Sequence, residues 1–249
     1  MALVYPARKL LARLPTPLEP LDRLSALLDG PRIWIKRDDL TECAASGNKI
    51  RKLEFLLAEA EQRGCDTLIT CGGVQSNHAR ATALMGARHG FRVHLVLRGE
   101  RPECADGNLM LDELAGATIE FHPNKDYSRN LRTLIHEAEA RERANGHNPL
   151  IIPTGASDEI GVWGYIACAE ELKADFLDRG IDPAVIVSAT GSGGTQAGLT
   201  AGCQIHGVGA KVWGFAVCDD ADYFRQKVKK DVADCQSGES RCRSGVEGF

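Results

Sequence analysis

From about residue 32 onward, short apolar runs alternate with stretches whose apolar residues recur every three or four positions. The runs at 33–35, 67–70, 93–97, 118–121, 150–152, 185–188 and 212–215 predict strands. The periodic stretches at 49–62, 77–88, 109–114, 129–144, 163–177 and 195–206 predict helices; Ile50, Leu53, Leu57 and Ala60 show the spacing. Alternation of this kind predicts a mainly parallel sheet covered by helices on both faces. Ligands in such folds sit beyond the carboxyl ends of the strands, where loops lead into helices. A last helix opens at Asp219-Asp220-Ala221-Asp222 and runs to about 232; from Asp234 on, no apolar period remains, and 235–249 is expected to be disordered.

The helix predicted to start between Ser46 and Asn48 breaks a local rule. A helix N-terminus carries partial positive charge and favours Asp or Glu. Here it receives Lys49, Arg51 and Lys52, with Lys36 and Arg37 shortly upstream. Two explanations stand: an anion sits there, or one lysine needs a depressed pKa so that its amine can attack a carbonyl. A cofactor carrying both a phosphate and an aldehyde would use both.

Two further motifs follow predicted strands. After 67–70 comes Cys71-Gly72-Gly73-Val74-Gln75-Ser76-Asn77-His78, where Ser76 or Asn77 suits an N-cap and also a ligand held at the helix end. His78 points into a pocket or along the helix. After 185–188 comes Gly191-Ser192-Gly193-Gly194-Thr195-Gln196-Ala197-Gly198, a turn in which backbone N–H groups and the hydroxyls of Ser192 and Thr195 can converge on a phosphate. No lysine precedes Thr195, so it is not a Walker motif, and Gln196 stands where a dinucleotide fingerprint needs glycine. A third loop, Pro153-Thr154-Gly155-Ala156-Ser157, suits a substrate carboxylate or a hinge.

Bulk composition narrows the surroundings. With 249 residues, 43% hydrophobic and 26% charged, the chain can bury a sizeable core like an ordinary soluble protein. A net charge of -4 with scattered cations argues against a nucleic-acid partner. No apolar run approaches the roughly 18 residues of a membrane span. Arg8, Lys9 and Arg13 interrupt the N-terminal apolar stretch, so no secretory signal is read and a cytoplasmic location is expected. Nine widely spaced cysteines without a C-x-x-C pair suggest neither a disulfide framework nor a metal site, and read mostly as small buried hydrophobes.

Together, Lys36-Arg37-Asp38-Asp39, the segment Ser46 through Glu54, Gly72 through His78 and Gly191 through Gly198 resemble the D-cysteine desulfhydrase and 1-aminocyclopropane-1-carboxylate deaminase family of pyridoxal-phosphate enzymes. The likeness runs from about Leu14 to about Val228. It implies the tryptophan synthase beta-like fold (fold type II), an α/β fold with two open, mainly parallel sheets. A large cofactor-binding domain, 1–64 with 163–249, would carry an inserted small domain, 65–162, and homodimers are usual. By this resemblance Lys49 forms a Schiff base with pyridoxal 5'-phosphate and Asn77 meets the ring's phenolic oxygen. Ser192, Gly193, Gly194 and Thr195, with Lys52, hold the phosphate, and Ser76 faces the substrate. Lys49 or Ser76 is the base. The activity implied is a lyase that cleaves D-cysteine or a close beta-substituted amino acid to pyruvate, ammonia and sulfide. His78 leans towards that reading over the ring-opening deaminase, and a cofactor-binding protein without turnover is the third possibility. Family members continue past this point with the segment facing the pyridine nitrogen, so the large domain is expected to be incomplete at its C-terminus.

Overall fold

A computed structural model describes residues 3–237. The chain opens with β1 (Leu18–Pro20), α1 (Asp22–Leu28) and β2 (Trp34–Lys36), the two strands pairing antiparallel. Neither β1 nor α1 is legible as a pattern, and β2 joins this ribbon instead of a parallel sheet. Then α2 (Asn48–Gln62) leads to a run of alternating elements: β3 (Thr67–Gly73), α3 (Asn77–Arg88), β4 (Arg92–Arg98), α4 (Gly107–Leu114), β5 (Thr118–His122), α5 (Asn124–Ala144) and β6 (Pro149–Ile151). The four strands form one wholly parallel sheet in the order β5-β4-β3-β6. After α6 (Trp163–Arg179), β7 (Val185–Thr190), α7 (Gly194–His206) and β8 (Lys211–Ala216) build a second parallel pair, and α8 (Ala221–Ser237) closes the described chain. This is an α/β fold with parallel sheets flanked by helices.

The main core forms where α2 meets α6. Ile50, Leu53 and Leu57 are fully buried with Leu68, Ile152, Trp163 and Ile166. Three consecutive helical turns of aliphatic side chains thus fix the rotation of α2, and so the direction in which Lys49 leaves it. The start of α2 depends on Gly47, whose φ of +112 is available at little cost only to glycine. Thr41 Oγ1 accepts from the Gly47 N–H at 2.9 Å and donates to its carbonyl at 3.1 Å, pinning the entry.

One expectation is corrected here. Residues 234–237 are helical, because Phe224, Val228, Val232 and Cys235 continue one apolar stripe along α8, and Cys235 is buried in the main core. The remainder of the expected disordered tail, 238–249, lies outside the described residues. Residues 67–71 of β3 are all buried, whereas in the second pair Val187, Trp213 and Phe215 are more than half exposed among the described residues. The cysteines among the described residues are free thiols. No helix among them is long and apolar enough to cross a membrane.

Candidate active site

The ends of β3, β6 and β7 face one cavity of about 580 Å³. Lys49 enters it from α2, Ser76, Asn77 and His78 from α3 and the loop before it, Thr154 from the loop after β6, and Ser192, Gly193 and Thr195 from the turn into α7. Three sequence motifs, the last more than a hundred residues beyond the other two, thus converge on one space.

Lys49 Nζ bonds to Asn48 Oδ1 at 3.0 Å, and no carboxylate pairs with it among the described residues. Burial, and secondarily the positive charge of Arg80, lower its pKa from 10.5 to about 8. The neighbouring cation Arg51, expected to contribute, does not. It turns to the opposite face of α2, where Asp38 Oδ1 lies 2.7 Å from Nη2 and Glu171 Oε2 lies 2.9 Å from Nη1. Lys36 pairs with Glu171 and Asp175, and Arg37 with Glu19 and Asp39. Those cations serve structural ion pairs, and the anion-site reading of the cluster narrows to Lys49 and Lys52.

Lys52 lies beneath the cavity and does not line it. Its ammonium group is fully buried, donating to Gly155 O at 3.0 Å and Ser157 Oγ at 3.3 Å. Burial, then the charge of Lys49, push its pKa well below the ordinary lysine value. Ser157 Oγ in turn donates to Ser192 Oγ at 2.8 Å and accepts the Gly194 N–H at 3.1 Å. So Ser157, at the end of the third loop, is a buttress under the turn, while Thr154 and Gly155 of the same loop line the cavity. Gly194 has no room for a side chain: a Cβ there would lie 2.6 Å from Ser157 Oγ and 2.8 Å from Lys52 Nζ. Its amide is committed to Ser157, which leaves Gly193, the Ser192 and Thr195 hydroxyls and the rest of the α7 N-terminus facing the cavity. Thr195 Oγ1 accepts from Asn48 Nδ2 at 3.1 Å, joining this turn to the residue before Lys49.

Ser76 caps α3, its Oγ accepting the Ala79 N–H at 3.1 Å, and lines the cavity at the same time. The capping and ligand-facing readings of this residue are therefore compatible. Asn77 Oδ1 accepts from Asn108 Nδ2 at 3.0 Å. His78 points inward: it is buried, Nε2 meets Thr70 Oγ1 at 2.8 Å, and Nδ1 has no hydrogen-bond partner. Burial, with the charges of Lys49 and Lys52, lowers its pKa to about 3, so the ring is neutral. Arg80 was missed by sequence reasoning, and Ser157 and Asn48 were named only as members of their motifs. The serine after Pro153-Thr154-Gly155-Ala156 carried a faint signal, whereas Arg80 had none, being one more cation on an amphipathic helix.

A half-buried amine at depressed pKa, facing a glycine-rich helix N-terminus with two hydroxyls across one cavity, fits a ligand that bears an aldehyde and a phosphate. The comparisons agree. The family described as pyridoxal-phosphate dependent enzyme matches residues 9–246. A bifunctional D-cysteine desulfhydrase/1-aminocyclopropane-1-carboxylate deaminase of Arabidopsis thaliana, described as mitochondrial, is 42% identical over 86% of this chain and 55% of its own length. A D-cysteine desulfhydrase of Yersinia pestis is 40% identical over 86% of this chain and 64% of its own. The crystal structure of an ACC deaminase homologue superposes with a TM-score of 0.83 at 35% identity, over 94% of this chain and 69% of that one. The chain thus spans between about half and two thirds of these relatives' length, and its three motifs all fall within the matched part. On the family match and the site's geometry together, this chain belongs to the pyridoxal-phosphate dependent enzymes.

Proposed function

We propose that the chain carries the cofactor site of a lyase that cleaves D-cysteine, or a close beta-substituted amino acid, to pyruvate, ammonia and sulfide with uptake of one water. The observation that carries the reading is Lys49: an amine held near pKa 8, opposite a phosphate-type turn, in one cavity. Pyridoxal phosphate, when bound, supplies an aldehyde for the amine and a ring that draws electrons from the carbon beside that nitrogen.

The residues divide the remaining work. At neutral pH about a tenth of Lys49 is the free base, enough to attack a carbonyl and, once released, to take a proton from the substrate's alpha carbon. Ser192 and Thr195, with Gly193 and the Gly194 turn, hold the phosphate, and Lys52 stiffens that turn from below through Ser157. Asn77 offers its amide to the phenolic oxygen. Ser76 places its hydroxyl against the substrate's carboxylate or reacting carbon. The neutral His78 adds a lone-pair acceptor or a donor without adding charge.

A ring-opening deaminase acting on 1-aminocyclopropane-1-carboxylate is the second reading, favoured by the bifunctional name of the Arabidopsis relative. The division into 1–64 with 163–249 and an inserted 65–162 belongs to the same proposal; the β3–β6 sheet lying wholly within 67–151 supports it. A homodimer working in the cytoplasm completes it, and sedimentation of the purified chain tests the dimer.

Incubation with pyridoxal phosphate, borohydride reduction and peptide mapping test the site. The expected adduct is on Lys49 and is lost in Lys49→Ala; reduction scattered over surface lysines refutes the assignment. Sulfide and pyruvate released from D-cysteine support the first reading, and 2-oxobutanoate from the cyclopropane amino acid the second. An adduct with neither product leaves a cofactor-binding protein without turnover. In Ser76→Ala the adduct should persist while turnover is lost, alongside about 1 kcal/mol from the missing cap.

A further inference from the structure

Arg80 projects from the first turns of α3 and touches neither the cavity lining nor a carboxylate oxygen among the described residues. Its guanidinium instead makes two bonds to groups flanking the site. Nη2 donates to the Ser46 carbonyl at 2.6 Å, three residues before Lys49, and Nη1 donates to Asn108 Oδ1 at 3.1 Å on α4. Asn108 then donates through Nδ2 to Asn77 Oδ1 at 3.0 Å and to the Gln75 carbonyl at 2.9 Å, and its backbone N–H donates to Gln75 Oε1 at 2.8 Å.

The chemistry of this chain of contacts has one direction. A guanidinium only donates, so Asn108 must turn its oxygen to Arg80 and its NH2 to Asn77. Asn77 must then present its oxygen to Asn108, which leaves its own NH2 for the cavity. The Gln75 carbonyl also holds the Asn108 NH2, so without the guanidinium that amide keeps one of its two anchors; if it turned, Asn77 would turn with it and offer an acceptor to an oxygen that also accepts.

We propose that Arg80 is a positioning residue that, through Asn108, fixes the Asn77 amide with its NH2 towards the cofactor. The inference rests on the assignment of Lys49 and Asn77 to pyridoxal phosphate. The depressed pKa of Lys49, to which the Arg80 charge contributes, agrees with the same placement.

The test is a double-mutant cycle read by pyridoxal-phosphate affinity, from visible absorbance titration of the purified full chain, with borohydride trapping on Lys49 as control. Asn77→Ala and Arg80→Gln should each weaken binding by about tenfold, the scale of one hydrogen bond to an ionised group. Combined, they should weaken it no more than about twofold beyond Asn77→Ala alone. Asn108→Asp keeps the contact to Arg80 as an ion pair but can donate neither to Asn77 nor to the Gln75 carbonyl, so it should bind like Arg80→Gln. Arg80→Lys keeps a donor and the charge and should recover most of the affinity. Additive losses in the cycle, or wild-type affinity in Asn108→Asp, overturn the inference while leaving the Lys49 site standing. A wild-type chain that traps no adduct on Lys49 overturns both. If Arg80→Gln does not fold, Asn108→Asp against Asn77→Ala decides alone.

Discussion

The two faces of α2 carry the same kind of side chain to opposite ends. On one face Arg51, 1% exposed, is met by Asp38 and Glu171, and about one turn further on Glu54 accepts the backbone N–H groups of Leu11 and Ala12 and pairs with Arg8. On the other face Lys49 is half-buried and Lys52 fully buried, and among the described residues no carboxylate is bonded to either. Burying a charge is costly in both places. Where carboxylates answer it, the cation stays charged and cements the N-terminal segment and α6 to the helix. Where none does, the cost appears as lowered pKa values, and the amine becomes chemically useful. The face that looks best paired is the structural one, and the face that looks deficient is the functional one.

The sharpest way to break this contrast is Arg51→Met. Removing one member of a buried ionic network leaves Asp38 and Glu171 uncompensated, so a loss of about 3–5 kcal/mol is expected in urea unfolding. At temperatures where the variant is still folded, adduct formation at Lys49 should be unchanged. A stable Arg51→Met that no longer binds pyridoxal phosphate would mean that the cations of α2 act as one group.

Gly194→Ala probes the support beneath the turn. The added Cβ would collide with Ser157 and Lys52, costing about 1–3 kcal/mol and weakening phosphate binding in isothermal titration with inorganic phosphate. Unaltered stability would show that the buttress is loosely packed.

The pH dependence of Lys49 sharpens the functional side. Since its folded pKa lies below the unfolded value, the unfolded chain binds more protons between about pH 8 and 10.5, and the group's penalty on stability is relieved as pH rises through that window. Adduct formation should correspondingly rise about fivefold from pH 7 to 8 and level off above about pH 9, followed by stopped-flow absorbance. A rise continuing towards pH 10.5 would place Lys49 in an ordinary environment.

The smallest effect is expected from Lys52→Met. A fully buried amine bonded to only one carbonyl and one hydroxyl adds little stability, so the melting temperature should stay level or rise, by an equivalent of about 1 kcal/mol at most. Pyridoxal-phosphate affinity should fall in the same protein. A large drop in stability would put Lys52 with Arg51 on the structural side.

Much of this organisation was legible along the chain, for reasons that differ from place to place. The strands at 67–70, 93–97 and 118–121 are apolar runs bounded by turn residues, and each was found within three residues of its observed bounds. By contrast β1 offers three residues containing a proline, and α1 buries none of its side chains, so neither leaves a pattern. The first turn of α5, Asn124 to Asp126, is polar and was read as loop. The end of α8 was lost because a cysteine, Cys235, supplies the last apolar contact of its stripe.

The sequence by itself determined the alternating α/β order, the anomalous cations of α2 and the three loops that meet at the cavity, because helical and strand periods, N-terminal charge and glycine turns act over a few neighbouring residues. It could not determine which cations were answered. Asp38 and Glu171 are 13 and 120 residues from Arg51, and Ser157 is 105 from Lys52. Desolvation and pairing depend on distance through space, so only the tertiary structure separated Lys49 from Arg51, placed Ser157 under the phosphate turn, and ran a donor-only guanidinium at Arg80 through Asn108 to Asn77.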